Sequence, residues 1–120
     1  MTKLPWSSER TFRLWRYNLS HSELALRSYD GGEDMLEVLF DGVDRIELSN
    51  WYQGGIEVSL VADHPSAVLV NPRKRSRFYR IAGPAGEGFV AAGRLRIARL
   101  SRAGEELELL VGIPGAPAAS

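Results

Sequence analysis

Two short polar segments contain the residue types used by hydrolases and metal sites. Residues 20–23 read SHSE, which supplies a nucleophile, a base and an acid. These residues are neighbours in an expected turn, whereas a catalytic triad needs side chains that converge from separated elements. His64 lies in another expected turn, and it forms no HxH or HxxxH motif with His21. We therefore predict a non-enzymatic protein with no catalytic residues, no metal site and no cofactor.

A basic segment followed by two aromatic residues carries the strongest functional pattern. Residues 71–80 read NPRKRSRFYR. Cations bind phosphates, and aromatic rings stack on unpaired bases, a combination that small β-barrels use to bind single strands. Phe78 and Tyr79 are adjacent, so in a strand they point to opposite faces and only one can be exposed. The candidate residues for binding phosphate or a partner are Arg73, Lys74, Arg75, Arg77 and Arg80.

Two aromatic residues in an expected loop are further candidates for partner contacts. Trp51 and Tyr52 precede a pair of glycines. Tryptophan and tyrosine are enriched at the energetic centres of protein interfaces. Large aromatic side chains also plug the open ends of β-barrels, so both interpretations stay open for this pair.

Length and composition are those of one globular domain without thiol chemistry. The chain has 120 residues, no cysteine and a formal net charge of zero. Its N-terminal residues lack the apolar region of a signal peptide, and no apolar run approaches the roughly 20 residues that cross a bilayer. We expect a cytoplasmic protein with no membrane partner and no global attraction to nucleic acid.

The zero net charge is the sum of two oppositely charged regions. Residues 30–47 contain seven acids and one arginine, and residues 73–102 contain nine cations and one glutamate. If the two regions lie in adjacent strands, their charges neutralise each other. If they do not, they form two surface patches of opposite sign, one of which serves a partner.

The elements that position these residues are predicted to be strands. Thr11–Tyr29 alternates as a hairpin with its turn at His21–Ser22, which directs Trp15 and Tyr17 to the core. A break at Gly42 predicts either one bent strand or two strands with a bulge. The same alternation predicts a core composed of Trp15, Tyr17, Leu24, Leu26, Val38, Phe40, Ile46, Val58, Leu60, Ile81, Leu95 and Ile97.

The predicted architecture is a single antiparallel β-barrel or sandwich of seven to nine short strands. It spans residues 11–111, preceded by an N-terminal arm at 1–10 and followed by a flexible tail at 112–120. A short apolar strand is expected at Ala67–Val70. The alternative is an α+β fold with a C-terminal helix, because residues 91–110 are rich in helix-forming Ala, Leu, Arg and Glu.

Part of the chain resembles a family of small bacterial all-β proteins of unknown function. The resemblance rests on Trp15, Tyr17, Ser20, His21, Leu24, Leu26, Arg27, Ser28, Leu39, Phe40, Gly42 and Val43, with some similarity near Phe89 and Val90. These residues surround two expected turns, so the resemblance implies a compact β domain and no particular activity. Related chains carry longer insertions at Asp30–Asp34, which implies a tolerant surface loop.

The patterns favour a non-catalytic accessory protein that acts by binding another protein. A first alternative is a nucleic-acid-binding protein that uses residues 73–80. A second alternative is a barrel that binds a small ligand in an open apolar mouth.

Overall fold

A computed structural model describes residues 4–18, 22–28, 34–61, 76–84 and 86–114. These residues contain no helix, and hence none that could span a membrane. They form nine strands: β1 (Trp6–Ser8), β2 (Phe12–Asn18), β3 (Glu23–Ser28), β4 (Asp34–Glu47), β5 (Trp51–Tyr52), β6 (Ile56–Val61), β7 (Arg77–Gly83), β8 (Gly86–Ser101) and β9 (Glu106–Ile113). The all-β prediction is confirmed, and residues 91–110 form most of β8, a turn and part of β9 rather than a helix.

All nine strands belong to one antiparallel sheet. The strand order is β1-β6-β7-β8-β4-β3-β2-β5, and β9 pairs with β8. The sheet curls so that Trp6 on β1 packs edge-to-face on Phe12 of β2, with ring centroids 6.2 Å apart. The two ends of the sheet therefore approach each other through side chains, and within the described residues the sheet curls without closing into a barrel.

The long antiparallel pair β4–β8 forms the centre of the sheet. Its register runs from Asp34 opposite Ser101 to Glu47 opposite Phe89. On the other edge of β8, β7 pairs with the first half and β9 with the second half. Strand β8 thus contacts three strands, and the core forms on the concave side of this sheet. Its largest fully buried side chains include Tyr52, Tyr79, Phe12, Phe40, Leu24, Leu26, Ile81, Leu95 and Ile97.

Most of the predicted core is confirmed. The buried positions are Leu24, Leu26, Val38, Phe40, Val58, Ile81, Leu95 and Ile97. Ile46 is partly buried and packs against them. Where two of these residues lie on one strand, they are separated by one residue, as expected when one face of a sheet is covered.

The prediction that Trp15 and Tyr17 belong to the core is wrong. Their side chains are 50% and 46% exposed. The hairpin exists, but its register differs by two residues from the one that a two-residue turn at His21–Ser22 gives, because Asn18 pairs with Glu23 and Tyr17 pairs with Leu24. A β-bulge follows Leu14, so the strand does not keep strict alternation through Trp15.

The prediction that Leu60 is a core residue is also wrong, since its side chain is 48% exposed. Leu60 has the same phase as buried Val58, but β1 pairs with β6 only as far as Val58. Tyr17 is in an equivalent position, because β5 pairs with β2 only at Phe12 and Arg13. Alternation gives the direction of a side chain, whereas its burial depends on how far the neighbouring strand extends.

The strand boundaries differ from the predicted domain limits. Residues 6–8, placed in the N-terminal arm, form β1, and Ile113, placed in the tail, ends β9. β4 is one strand in which Gly42 has a positive φ of 67°, and its register shifts two residues later, between Val43 and Arg45. The expected strand Ala67–Val70 lies outside the described residues, as do 30–33 and 115–120.

The acidic and basic regions lie largely side by side, as the first of the two charge interpretations predicts. Asp41 forms an ion pair with Arg94 directly opposite on β8. Asp34 accepts from Arg10 at 2.9 Å and from Arg99 at 3.5 Å. Part of the charge of each region is therefore neutralised within the sheet.

Truncating buried side chains of the curled sheet should destabilise it strongly. Phe40→Ala and Leu26→Ala should each lower the free energy of unfolding by about 2–5 kcal/mol, because each leaves a cavity. Leu60→Ala is the matched control, and its half-exposed side chain should change stability by less than about 1 kcal/mol. Urea unfolding of the three variants measures the difference, and equal losses for Leu26 and Leu60 would contradict the burial pattern.

Asp34 should make the protein sensitive to acid. The hydrogen bond from Arg10, reinforced by the nearby charges of Arg10 and Arg99, holds the pKa of Asp34 below its ordinary value. The unfolded chain then binds this proton more readily, so stability falls as pH drops from about 5 through the depressed pKa. Asp34→Asn should lower stability at neutral pH and flatten this acid dependence. An unchanged slope of unfolding free energy against pH would contradict the assignment.

Candidate functional site

The basic segment is only partly within the described residues, and both of its described arginines contact the protein itself. Arg73, Lys74 and Arg75 lie outside them. Arg80 donates to both carboxylate oxygens of Glu87, at 2.7 and 2.8 Å. This pairing raises the pKa of Arg80 and lowers that of Glu87. The charge of Arg80 is thus compensated by a carboxylate of the adjacent strand.

The side chain of Arg77 contacts the protein backbone. Its guanidinium donates to the backbone carbonyl of Gly93, at 3.5 Å, and to that of Pro114. Gly93 lies on β8 between the stretches paired with β7 and β9, and Pro114 follows the last residue of β9. Arg77 therefore joins the end of β9 to the start of β7.

The two aromatic residues after Arg77 point to opposite faces, as predicted. Tyr79 is fully buried and packs on Phe40 with ring centroids 5.3 Å apart. Burial raises the pKa of its phenol above the ordinary value, against the opposing effect of Arg77. Phe78 is partly buried, with its ring centroid 6.1 Å from that of Phe89. Neither ring is a fully exposed platform for a base.

The pair Trp51 and Tyr52 divides between surface and core. Tyr52 is fully buried, and its hydroxyl accepts from the backbone N–H of Ser49 at 3.2 Å. Trp51 is 46% exposed. Of the two interpretations made for this pair, the structure assigns Tyr52 to the core and leaves Trp51 accessible to a partner.

A cluster of exposed tryptophan and arginine side chains lies where β5, β2 and β3 meet. We call it the tryptophan–arginine surface and define it by Arg13, Trp15, Arg16, Arg27 and Trp51. Arg13 and Arg16 are exposed, as are both tryptophans, and Arg27 is partly buried. Exposed tryptophan is unusual on a protein surface, and large exposed aromatic area often marks a binding site.

The strand pairing places these side chains together. Trp51 is opposite Arg13, Arg13 is opposite Arg27, and Arg27 is opposite Glu37. Residues directly opposite each other in adjacent strands share a face, so this row crosses four strands on one side. At the bulge, Trp15 and Arg16 together oppose one residue of β3, which directs both toward the same face as Arg27.

Each tryptophan of this surface is stacked with an arginine. The Cζ atom of Arg13 lies 5.3 Å from the ring centroid of Trp51, and that of Arg27 lies 4.8 Å from the ring centroid of Trp15. Such cation–π contacts contribute about 0.5–1 kcal/mol at exposed sites. They restrict the rings of two tryptophans that are each about half exposed.

The charges of the surface are only partly compensated. Arg27 forms an ion pair with Glu37 at 2.6 Å. Arg13 and Arg16 differ, because no carboxylate of the described residues lies within ion-pair distance of either one. Strand β2, which bears the exposed Trp15, therefore also bears two arginines that no described carboxylate neutralises.

Sequence reasoning found only Trp51 of this surface. Strict alternation places Trp15 in the core, and the bulge that changes its direction has no turn-type signature in the sequence. The exposed row of Arg13, Arg27 and Glu37 follows from the register between three strands. One available signal was the density of arginine and aromatic residues in RLWRY at 13–17.

The same face of the sheet also contains a groove of about 350 Å³ beside β9. Leu39 and Leu109 line it, together with the charged residues Asp41, Arg94 and Arg96. Arg94 is paired with Asp41, and Arg96 with Glu106. The groove is open, and its cations are already compensated, so it offers a ligand less than the tryptophan–arginine surface does.

Metal ligands do not cluster in the part of the chain that the structure describes. No group of three or more His, Asp or Glu side chains there is arranged to hold an ion. His21 and His64 both lie outside that part.

No protein-family model matches this chain, and searches of curated proteins and of solved structures also returned no match. The resemblance to a small bacterial family therefore stays a prediction. The tryptophan–arginine surface is therefore the main basis for a proposed function.

Arg77 should be needed for stability rather than for binding. Arg77→Ala should lower the free energy of unfolding by about 1 kcal/mol, because two backbone carbonyls lose a charged donor. Amide hydrogen exchange should accelerate at residues 111–113, the end of β9. Arg80→Ala is the control: it breaks an exposed ion pair and should leave exchange in β9 unchanged. Unchanged exchange in Arg77→Ala would contradict its bridging role.

Proposed function

We propose that the protein is a non-catalytic binding module that contacts another protein through its tryptophan–arginine surface. The observation that carries this proposal is the pair of exposed tryptophans, each stacked with an arginine, on the adjacent strands β2 and β5 at one end of the sheet. Tryptophan and arginine are the residue types most enriched among those that dominate binding energy at protein interfaces.

Two physical effects favour binding at this surface: the apolar area of the indoles that a partner can cover, and the restricted motion of their rings. An exposed indole loses a large unfavourable contact with water when a partner covers it. The stacked arginines and the sheet backbone already restrict these rings, so less side-chain entropy is lost on binding. The ion pair of Arg27 with Glu37 further fixes the arginine on which Trp15 stacks.

Binding of nucleic acid through residues 73–80 is supported less well. Arg80 is compensated by Glu87, and Arg77 is engaged with backbone carbonyls. Tyr79 is buried and cannot stack on a base. This alternative depends on Arg73, Lys74 and Arg75, which lie outside the described residues.

Capture of a partner tests the proposal. Tagged wild-type protein is used to retrieve partners from extracts of the cells that produce it, and a retrieved protein is then purified and titrated. The Trp15→Ala/Trp51→Ala variant should bind at least about thirtyfold more weakly, since truncating a central interface tryptophan removes about 2 kcal/mol or more.

Leu107→Ala provides the matched control for loss of exposed apolar area. Leu107 is 49% exposed on β9, away from the surface, and its truncation should leave the affinity unchanged. Circular dichroism and urea unfolding confirm that the double variant remains folded. A partner that binds the double variant as tightly as the wild type would rule out this surface as its site.

A further inference from the structure

The arginines on β2 differ from those on β8 in their ion pairing. On β8, Arg94, Arg96 and Arg99 each form an ion pair with a carboxylate of an adjacent strand. On β2, no described carboxylate lies within ion-pair distance of Arg13 or Arg16. The β8 arginines are thus paired with carboxylates, whereas Arg13 and Arg16, beside the exposed tryptophans, have no such partner among the described residues.

We infer that the partner presents an acidic segment that places carboxylates on Arg13 and Arg16 and an apolar side chain on Trp15. This inference rests on the proposed function and specifies the chemistry of the partner. Complementary charge steers association and suppresses wrong partners, and a free guanidinium binds a carboxylate through two parallel hydrogen bonds.

The spacing of the surface limits what fits. Arg13 and Arg16 are on one face of β2, on either side of the bulge at Trp15. A strand advances about 3.3 Å per residue, so the two arginines are separated by about 10 Å or less. An extended segment faces the surface with every second residue, so two carboxylates four residues apart, about 13 Å, are within reach of these two long arginine side chains. The apolar residue midway between them then faces the indole of Trp15.

The neighbouring charges favour a protein segment over a nucleic-acid strand. On the same face, the row beside Arg16 contains Asn18, Glu23 and Asp41 on three consecutive strands. A continuous chain of phosphates crossing β3 meets the carboxylate of Glu23 and is repelled. Beyond it, Arg94 is already paired with Asp41 and is not available to a phosphate. A peptide, unlike a nucleic acid, can confine its negative charges to the positions that lie opposite Arg13 and Arg16.

Selection of peptides from a random library displayed on phage tests the inference without knowledge of the partner. Peptides selected on immobilised wild-type protein should be enriched in Asp and Glu flanking an apolar residue. A selected peptide should bind the Arg13→Gln/Arg16→Gln variant about tenfold more weakly at low salt, as expected for two exposed ion pairs. Its affinity for the wild type should fall as salt rises.

The Arg94→Gln/Arg96→Gln variant is the matched control, because it removes the same number of arginines from β8. It should bind the selected peptide as the wild type does. Selected peptides without an acidic excess, but dependent on Trp15 and Trp51, would overturn the acidic inference and leave the proposed function intact. If the binding of no selected peptide depends on the arginines Arg13 and Arg16 or on the tryptophans Trp15 and Trp51, both proposals fail.

A fluorescent poly(dT) oligonucleotide tests the alternative anionic partner, a nucleic acid. We expect it to bind more weakly than the selected acidic peptide at moderate salt, with no dependence on Arg13 and Arg16. Tighter binding than the peptide, lost in Arg13→Gln/Arg16→Gln, would show that this surface recognises a nucleic acid and would overturn the inference.

Discussion

The antiparallel pairing of β4 with β8 is the constraint on which the rest of the structure depends. Both strands are long, 14 and 16 residues, and they remain paired over nearly their whole length. The free edge of β4 receives β3, and the free edge of β8 receives β7 and β9 in succession. Because Arg77 joins these last two at Gly93 and Pro114, the sheet remains continuous at the place where one neighbour ends and the next begins.

The tryptophan–arginine surface lies where this continuity ends. Strand β2 is covered on its outer edge by only two residues of β5, and a bulge at Trp15 changes the direction of the following side chains. A short edge strand and a bulge are both devices that discourage unwanted edge-to-edge pairing of sheets. Here they also place Trp15 and Arg16 together on the convex face, beside Trp51 and Arg13. Protection of the edge and formation of the tryptophan–arginine surface thus have the same structural cause.

The distribution of charge sharpens this interpretation. A net charge of zero suggests a surface without a preferred partner. The structure shows instead that opposite charges are paired across β4, β8 and β9, whereas Arg13 and Arg16 have no such partner among the described carboxylates. Neutrality of the whole chain therefore coexists with a local positive field beside two accessible indoles. Exposed charges mainly affect association rate and selectivity, and the buried indoles of a complex mainly affect its lifetime.

The sequence by itself determined the all-β class, the hairpin at 11–29 and most of the core, because alternation of apolar and polar residues directly encodes the two faces of a strand. Phe40, Leu26 and Ile97 were identified in this way. Tertiary structure decided the rest. Leu60 and Tyr17 have the phase of core residues, yet they are exposed because the neighbouring strand ends first. Trp15 was assigned to the wrong face because a bulge has no period that a sequence can display. The juxtaposition of Arg13, Arg27 and Trp51 depends on register, which is set by pairing between distant segments rather than by any one of them.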